Sequence, residues 1–85
     1  MKKLLIQVFC PSTSKSYDFW IPSKMTVQKA IELICDDIRD FENNPGLFAD
    51  ASGLLLYSEL EEKPLLPDLT IAQTGVRSGD RIALI

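Results

Sequence analysis

The sequence predicts an α+β fold in which one α-helix packs on a mixed sheet of four to five strands. Segment 26–41 contains apolar side chains spaced three and four positions apart. This spacing predicts a helix with one apolar face. Segments on both sides of this helix have the two-residue apolar period or the β-branched and aromatic content of strands. Because the apolar helix face must be buried, we expect the helix to lie across the sheet.

A hairpin is predicted before the helix. Residues 4–10 alternate with the strand period, residues 11–15 are rich in turn formers, and residues 17–21 alternate again. The charged and apolar start resembles a signal peptide, but Gln7 interrupts the apolar run, so a strand is the better interpretation. Pro22 is expected to end the second strand because proline has no N–H to donate.

The helix and the third strand follow. Thr26 is a good N-cap residue, and residues 42–46 contain the Asn, Pro and Gly that end a helix. Residues 47–52 are predicted to be an irregular connection. Residues 54–57 are then predicted to form a short strand.

The last third of the chain is predicted to close the sheet. Residues 59–63 read as a charged, solvated loop. Residues 69–75 suggest a single helical or 3-10 turn that ends at Gly75 in a left-handed conformation. A tight turn over residues 78–80 leads to a last strand over residues 81–85. The 85 residues suffice for one core, so we predict a single domain over residues 1–85.

The charge balance restricts the possible partners. Nine basic and twelve acidic residues give a net charge of −3. Nucleic acids and anionic membranes are bound through clustered Lys and Arg, so neither is expected as the main partner. No apolar run approaches the length of about 20 residues that a membrane span needs. The sequence therefore predicts a cytoplasmic protein without direct membrane insertion.

The sequence shows no residue set for catalysis, and no cofactor is expected. It contains no histidine, and Cys10 and Cys35 are predicted to be buried free thiols, although a bridge between them stays open. Asp36, Asp37 and Asp40 could supply oxygen ligands to a divalent cation, but neighbouring helix positions point about 100° apart. We predict a solvated acidic helix face without a metal, and this face leaves a basic partner open.

Two groups of segments carry a resemblance to a known family. The order of elements and the closing segments Leu55-Leu56-Tyr57, Leu69-Thr70-Ile71 and Ser78-Gly79-Asp80-Arg81-Ile82-Ala83-Leu84-Ile85 resemble ubiquitin-like domains of the β-grasp fold. Residues 17–22 and 75–81 resemble the YukD-like family of bacterial ubiquitin-like proteins. That family is associated with type VII secretion, so the resemblance implies a small cytoplasmic accessory protein. Its implied partner is a membrane component of the secretion machinery or its ATPase.

The end of the sequence distinguishes two functions of this fold. Modifiers and sulfur carriers present a flexible tail that ends in Gly-Gly, whereas Ala83-Leu84-Ile85 lies within a predicted strand. We therefore expect a non-catalytic protein-interaction module that is not conjugated to other proteins. The alternative is a carrier or modifier whose tail lies outside this sequence.

The outer sheet face is the predicted interaction site, similar to the apolar face through which ubiquitin meets many partners. Alternation is expected to direct one set of residues toward the helix: Leu4, Ile6, Val8, Leu55, Tyr57, Ile82 and Leu84. It directs the other set outward: Leu5, Gln7, Phe9, Leu56, Ala83 and Ile85. The predicted partner-binding residues are Leu5, Leu56, Ala83 and Ile85, with Trp20 as a second anchor. The alternative is that these are single exposed apolar residues of the kind common on protein surfaces.

Overall fold

The computed structural model describes residues 2–49 and 53–85, which form five strands and one α-helix. The elements in chain order are β1 (Lys3–Cys10), β2 (Lys15–Pro22), α1 (Val27–Phe41), β3 (Leu56–Ser58), β4 (Lys63–Pro64) and β5 (Arg81–Leu84). A 3-10 turn, Ala72–Thr74, lies between β4 and β5. The predicted α+β class is confirmed.

The strands form one mixed sheet in the order β2-β1-β5-β3-β4. β1 and β5 are parallel, and the other neighbouring pairs are antiparallel. The two ends of the order, β2 and β4, are therefore the edges of the sheet. The predicted hairpin is confirmed, and Pro22 is the last residue of its second strand, opposite Lys3.

The helix begins where the sequence predicts it. Thr26 has an extended conformation, and its Oγ1 accepts a hydrogen bond of 3.2 Å from the Lys29 N–H, so Thr26 is the N-cap. The backbone also ties this end to a distant segment, because the Val27 N–H donates to the Leu69 carbonyl at 2.8 Å. Both contacts position α1 across the inner face of the sheet.

The core lies between α1 and the inner sheet face. The helix contributes six buried residues: Val27, Ala30, Ile31, Ile34, Cys35 and Ile38. The strands contribute a matching set: Leu4, Ile6, Val8, Cys10, Ile21, Leu56, Ile82 and Leu84. Leu65, Ile71 and Val76 close the core beside β4 and the 3-10 turn. The inward assignments that we predicted for β1 and β5 are confirmed.

The predicted orientation of β3 is wrong. Leu56 was expected to face outward, but its side chain is 0% exposed. Leu56 lies opposite Leu84 in the ladder with β5, and directly opposite residues share one sheet face, so both point into the core. Leu55 is 38% exposed and Tyr57 is half-buried on the other side. A shift of one residue in the assumed pattern exchanges the two faces of a strand.

The connections around β3 and β4 also differ in part from the prediction. Lys63, assigned to a charged loop, pairs with Ser58 and begins β4. Gly75 has φ +83° and ends the 3-10 turn, as predicted. The irregular connection predicted for residues 47–52 lies partly outside the described residues, because residues 50–52 are not described.

Within the described ranges, no helix combines the length and the apolar character needed to span a bilayer.

Candidate interaction surfaces

A row of apolar side chains crosses the outer face of the sheet. Phe9 on β1 lies opposite Ala83 on β5, and Ala83 lies opposite Tyr57 on β3. Next to this row, Leu55 and Ile85 exchange two backbone hydrogen bonds of 2.7 and 2.9 Å, so their side chains share the same face. Ile85 is 50% exposed. We call these five residues the outer patch.

A second apolar pair lies on the same face toward β2. Leu5 is directly opposite Trp20, and the Trp20 side chain is 61% exposed. The polar residues Gln7, Asp18 and Arg81 form a row between this pair and the outer patch, since Gln7 lies opposite both of the others. The outer face thus carries two apolar areas with a polar strip between them.

Four of the five predicted partner-binding residues lie on this face. Leu5 and Ala83 are half-buried, and Ile85 and Trp20 are exposed. Leu56 is not among them, because it is fully buried in the core.

The prediction also missed members of the outer patch. Leu55 and Tyr57 were assigned to the core, and Phe9 was assigned outward but not chosen as a binding residue. The observed orientation of β3 places Ser58 in the core. Its burial is tolerated, since Ser58 Oγ accepts a hydrogen bond of 3.2 Å from the Glu61 N–H.

A different surface lies between the edge strand β2 and α1. A groove of about 310 Å³ is lined by Ser16, Tyr17, Asp18, Phe19, Asp37, Ile38 and Phe41. Phe41 is 74% exposed, and its ring meets the Tyr17 ring edge to face with centroids 5.8 Å apart. We call this feature the β2–α1 groove. Its lining residues include three aromatic residues and two acidic ones.

The described residues include neither a metal-binding cluster nor an exposed thiol. Among residues 2–49 and 53–85, no group of three or more His, Cys, Asp and Glu side chains is placed to hold a metal ion. Both thiols lie in the core, and burial raises the pKa of Cys35, which disfavours its reactive thiolate form.

Comparison with known proteins identifies the fold. No family model and no curated protein matches this sequence. The EccD5 ubiquitin-like domain from Mycobacterium xenopi is 16% identical, with a TM-score of 0.79 over 100% of this chain and 94% of that chain. The ubiquitin-like domain of the Mycobacterium tuberculosis type VII secretion system protein EccD1 is 15% identical, with a TM-score of 0.75 over 100% and 99%. Caldiarchaeum subterraneum ubiquitin is 16% identical, with a TM-score of 0.70 over 99% and 92%. These similarities show a ubiquitin-like β-grasp fold.

Proposed function

We propose that this chain is a non-catalytic protein-interaction module that docks through its outer sheet face on a type VII secretion component in the cytoplasm. The outer patch carries the proposal. It places Phe9, Ala83 and Tyr57 in register across three adjoining strands, with Leu55 and Ile85 beside them.

These apolar side chains lie on the water-facing side of the sheet. A sheet with one solvated face normally has polar residues on that face, because apolar side chains gain nothing from exposure to water. Adjoining apolar side chains that remain exposed favour a binding surface, since contact with a partner removes them from water. Trp20, beside Leu5, has the large aromatic area that frequently anchors such contacts.

The type of partner is inferred from the structural neighbours and from charge. Two neighbours are ubiquitin-like domains of EccD proteins, and one of these is named as a type VII secretion system protein. Both match over the full length of this chain. The net charge of −3 does not favour nucleic acid or an anionic membrane as the partner. We therefore propose that the partner is a membrane component of the secretion machinery or its ATPase.

Site-specific photo-crosslinking in the native bacterium tests the proposal. A photoreactive amino acid replaces Ala83 in the outer patch, and a control chain carries it at the exposed helix position Glu32. We expect Ala83 to crosslink to a type VII membrane component or ATPase, identified by mass spectrometry, and Glu32 not to do so.

A matched pair of charged variants completes the test. Ile85→Asp introduces a charge into the outer patch, whereas Leu66→Asp introduces one at a 61% exposed leucine elsewhere on the surface. We expect Ile85→Asp to reduce co-purification of the crosslinked partner at least about tenfold, and Leu66→Asp to leave it unchanged. Recovery of an adenylating enzyme, or of covalent conjugates, would replace this proposal with the carrier or modifier function.

A further inference from the structure

The free edge of β2 has unpaired backbone groups over most of its length. Within residues 2–49 and 53–85, β2 is at the end of the strand order and pairs with β1 alone. The Ser23 N–H donates to the Lys2 carbonyl at 2.9 Å, and hydrogen-bonded pairs alternate along an antiparallel ladder. The odd-numbered residues of β2 therefore bond to β1. The N–H and C=O groups of Ser16, Asp18 and Trp20 point to the open edge.

The inner side of this edge is apolar. The β2–α1 groove runs beside the edge, and its lining includes the aromatic residues Tyr17, Phe19 and Phe41. The Tyr17 and Phe19 ring centroids are 6.5 Å apart, and Tyr17 also contacts Phe41. A strand added to β2 would direct every second side chain onto these rings, because side chains alternate between the two faces of a sheet.

The charges around the edge are acidic. Asp18 lies on the outer side of β2 and Asp37 on the facing surface of α1, and both are exposed. The nearby cation Lys15 contacts the Glu42 carboxylate at 3.0 Å, so its charge is paired. A ligand with basic side chains complements this charge distribution.

We propose that β2 and the β2–α1 groove bind an extended segment of a partner protein in which apolar residues alternate with Lys or Arg. The segment adds a strand to the sheet through the backbone of Ser16, Asp18 and Trp20. Its apolar side chains contact the aromatic groove, and its basic side chains lie on the outer side beside Asp18.

A second copy of this chain fits the edge less well. If the β2 strands of two copies paired antiparallel around their midpoints, Asp18 of one copy would lie opposite Asp18 of the other. Like charges directly opposite each other are destabilising. An exposed charge on an edge strand also hinders unselective pairing. The same carboxylate favours a basic strand.

Strand addition at β2 does not depend on the docking function proposed for the outer patch. The added strand uses the edge of β2 and the helix side, with its basic side chains beside Asp18, whereas the outer patch lies around β5 and β3. Trp20 borders both surfaces and is therefore not varied in either test. Variants of one surface therefore leave the other intact, and failure of either proposal can be recognised separately.

The test uses the complete chain and a blocked peptide, acetyl-KVKVKVK-amide, with the acidic peptide acetyl-EVEVEVE-amide as the control. Two-dimensional amide NMR spectra are recorded during titration. We expect the basic peptide to shift the amide signals of Ser16, Asp18 and Trp20 in a saturable manner, and the acidic peptide to bind at least about tenfold more weakly. Shifts confined to the outer patch, or none at millimolar peptide, would overturn the proposal.

Peptide N-methylation tests for backbone pairing without changing the protein. In an antiparallel addition the lysine opposite Asp18 forms both backbone hydrogen bonds, and in a parallel addition the neighbouring valines form them. Two methylated peptides are compared, one with methyl groups on the lysine backbone nitrogens and one with methyl groups on the valine backbone nitrogens. One of them should bind about tenfold more weakly than the unmethylated peptide, and the other should bind almost as well as it does. Equal affinity of the two methylated peptides would rule out strand addition.

Protein variants complete the test. We expect Asp18→Lys and Phe41→Ala to weaken binding of the basic peptide about threefold to tenfold, through lost charge attraction and lost aromatic contact. The control Asp68→Lys makes the same charge change at an exposed residue outside the groove and should alter affinity less than about twofold. Equal weakening by Asp18→Lys and Asp68→Lys would show attraction by net charge alone. A dimer in sedimentation experiments that Phe41→Ala abolishes would identify a second copy as the occupant instead.

Discussion

The hydroxyl group of Tyr17 donates a hydrogen bond of 2.6 Å to Glu42 Oε2, which joins β2 to the end of α1. Lys15 Nζ reaches the same carboxylate at 3.0 Å. Glu42 is also the C-cap residue of the helix, since its N–H donates to the Ile38 carbonyl. One carboxylate therefore holds the hairpin and the helix together at this end of the β2–α1 groove.

This contact predicts how stability depends on pH. The hydrogen bond from Tyr17, and then the one from Lys15, lowers the pKa of Glu42 below its ordinary value of 4.5. A group with a lowered pKa in the folded state stabilises the fold above its ordinary pKa and loses this effect as the pH falls through the lowered value. We expect Glu42→Gln to be less stable than the parent chain at pH 7, with a smaller difference at about pH 3, in urea unfolding experiments.

The control for this prediction is Glu32→Gln, which removes a carboxylate from an exposed position in the middle of α1. Its effect on the free energy of unfolding should be small at both pH values. An equal loss of stability for Glu42→Gln at neutral and acidic pH would mean that the carboxylate contributes through its shape and not through its charge.

Two neighbouring leucines on β3 test the orientation of this strand. Leu56 is 0% exposed and Leu55 is 38% exposed, although the two residues are adjacent. Leu56→Ala should lower the free energy of unfolding by about 2–5 kcal/mol, because it leaves a cavity in the core. Leu55→Ala should cost less than about 1 kcal/mol. Chemical denaturation of both variants provides the measurement, and the reverse order would restore the orientation expected from sequence.

The same strand shows where sequence reasoning reaches its limit. On β1, Gln7 among apolar neighbours marks the outer side, and alternation correctly separates Leu5 from Ile6. On β3, three consecutive leucines conceal the two-residue period, so nothing local distinguishes the faces. Pairing between Leu56 and Leu84 decides the orientation, and the partners are far apart in sequence.

The helix and its N-cap were predictable because their signals are local. The β2–α1 groove was not predictable, because it depends on the contact between Tyr17 and Phe41, which join only after the hairpin and the helix have packed. Strand β4 was missed for a related reason. Its two residues, Lys63 and Pro64, are too few to show a period and contain a proline, so their pairing follows from the fold.

The left-handed conformation of Gly75 predicts a selective effect of substitution. Gly75 has φ +83°, and an added Cβ would lie 4.0 Å from Glu61 Oε1, so space is available and backbone strain determines the cost. We expect Gly75→Ala to lower the free energy of unfolding by about 1–2 kcal/mol. Gly46→Ala is the control, because Gly46 does not have a positive φ and its added Cβ would meet Asn44 Oδ1 at an ordinary 3.5 Å. Thermal unfolding of both variants compares them, and equal midpoints would contradict the role of strain.

The two buried thiols allow opening of the core to be measured. Cys10 and Cys35 are both 0% exposed. Burial also raises the pKa of Cys35, which reduces the fraction of reactive thiolate. We expect a disulfide reagent to label the native chain on the order of a thousandfold more slowly than the unfolded chain, because labelling requires the core to open. Cys35→Ala isolates the Cys10 thiol, and Ser12→Cys provides a rapidly labelled reference on an exposed turn. If the native thiols reacted as fast as this reference, α1 could not be packed against β1 as the structure describes.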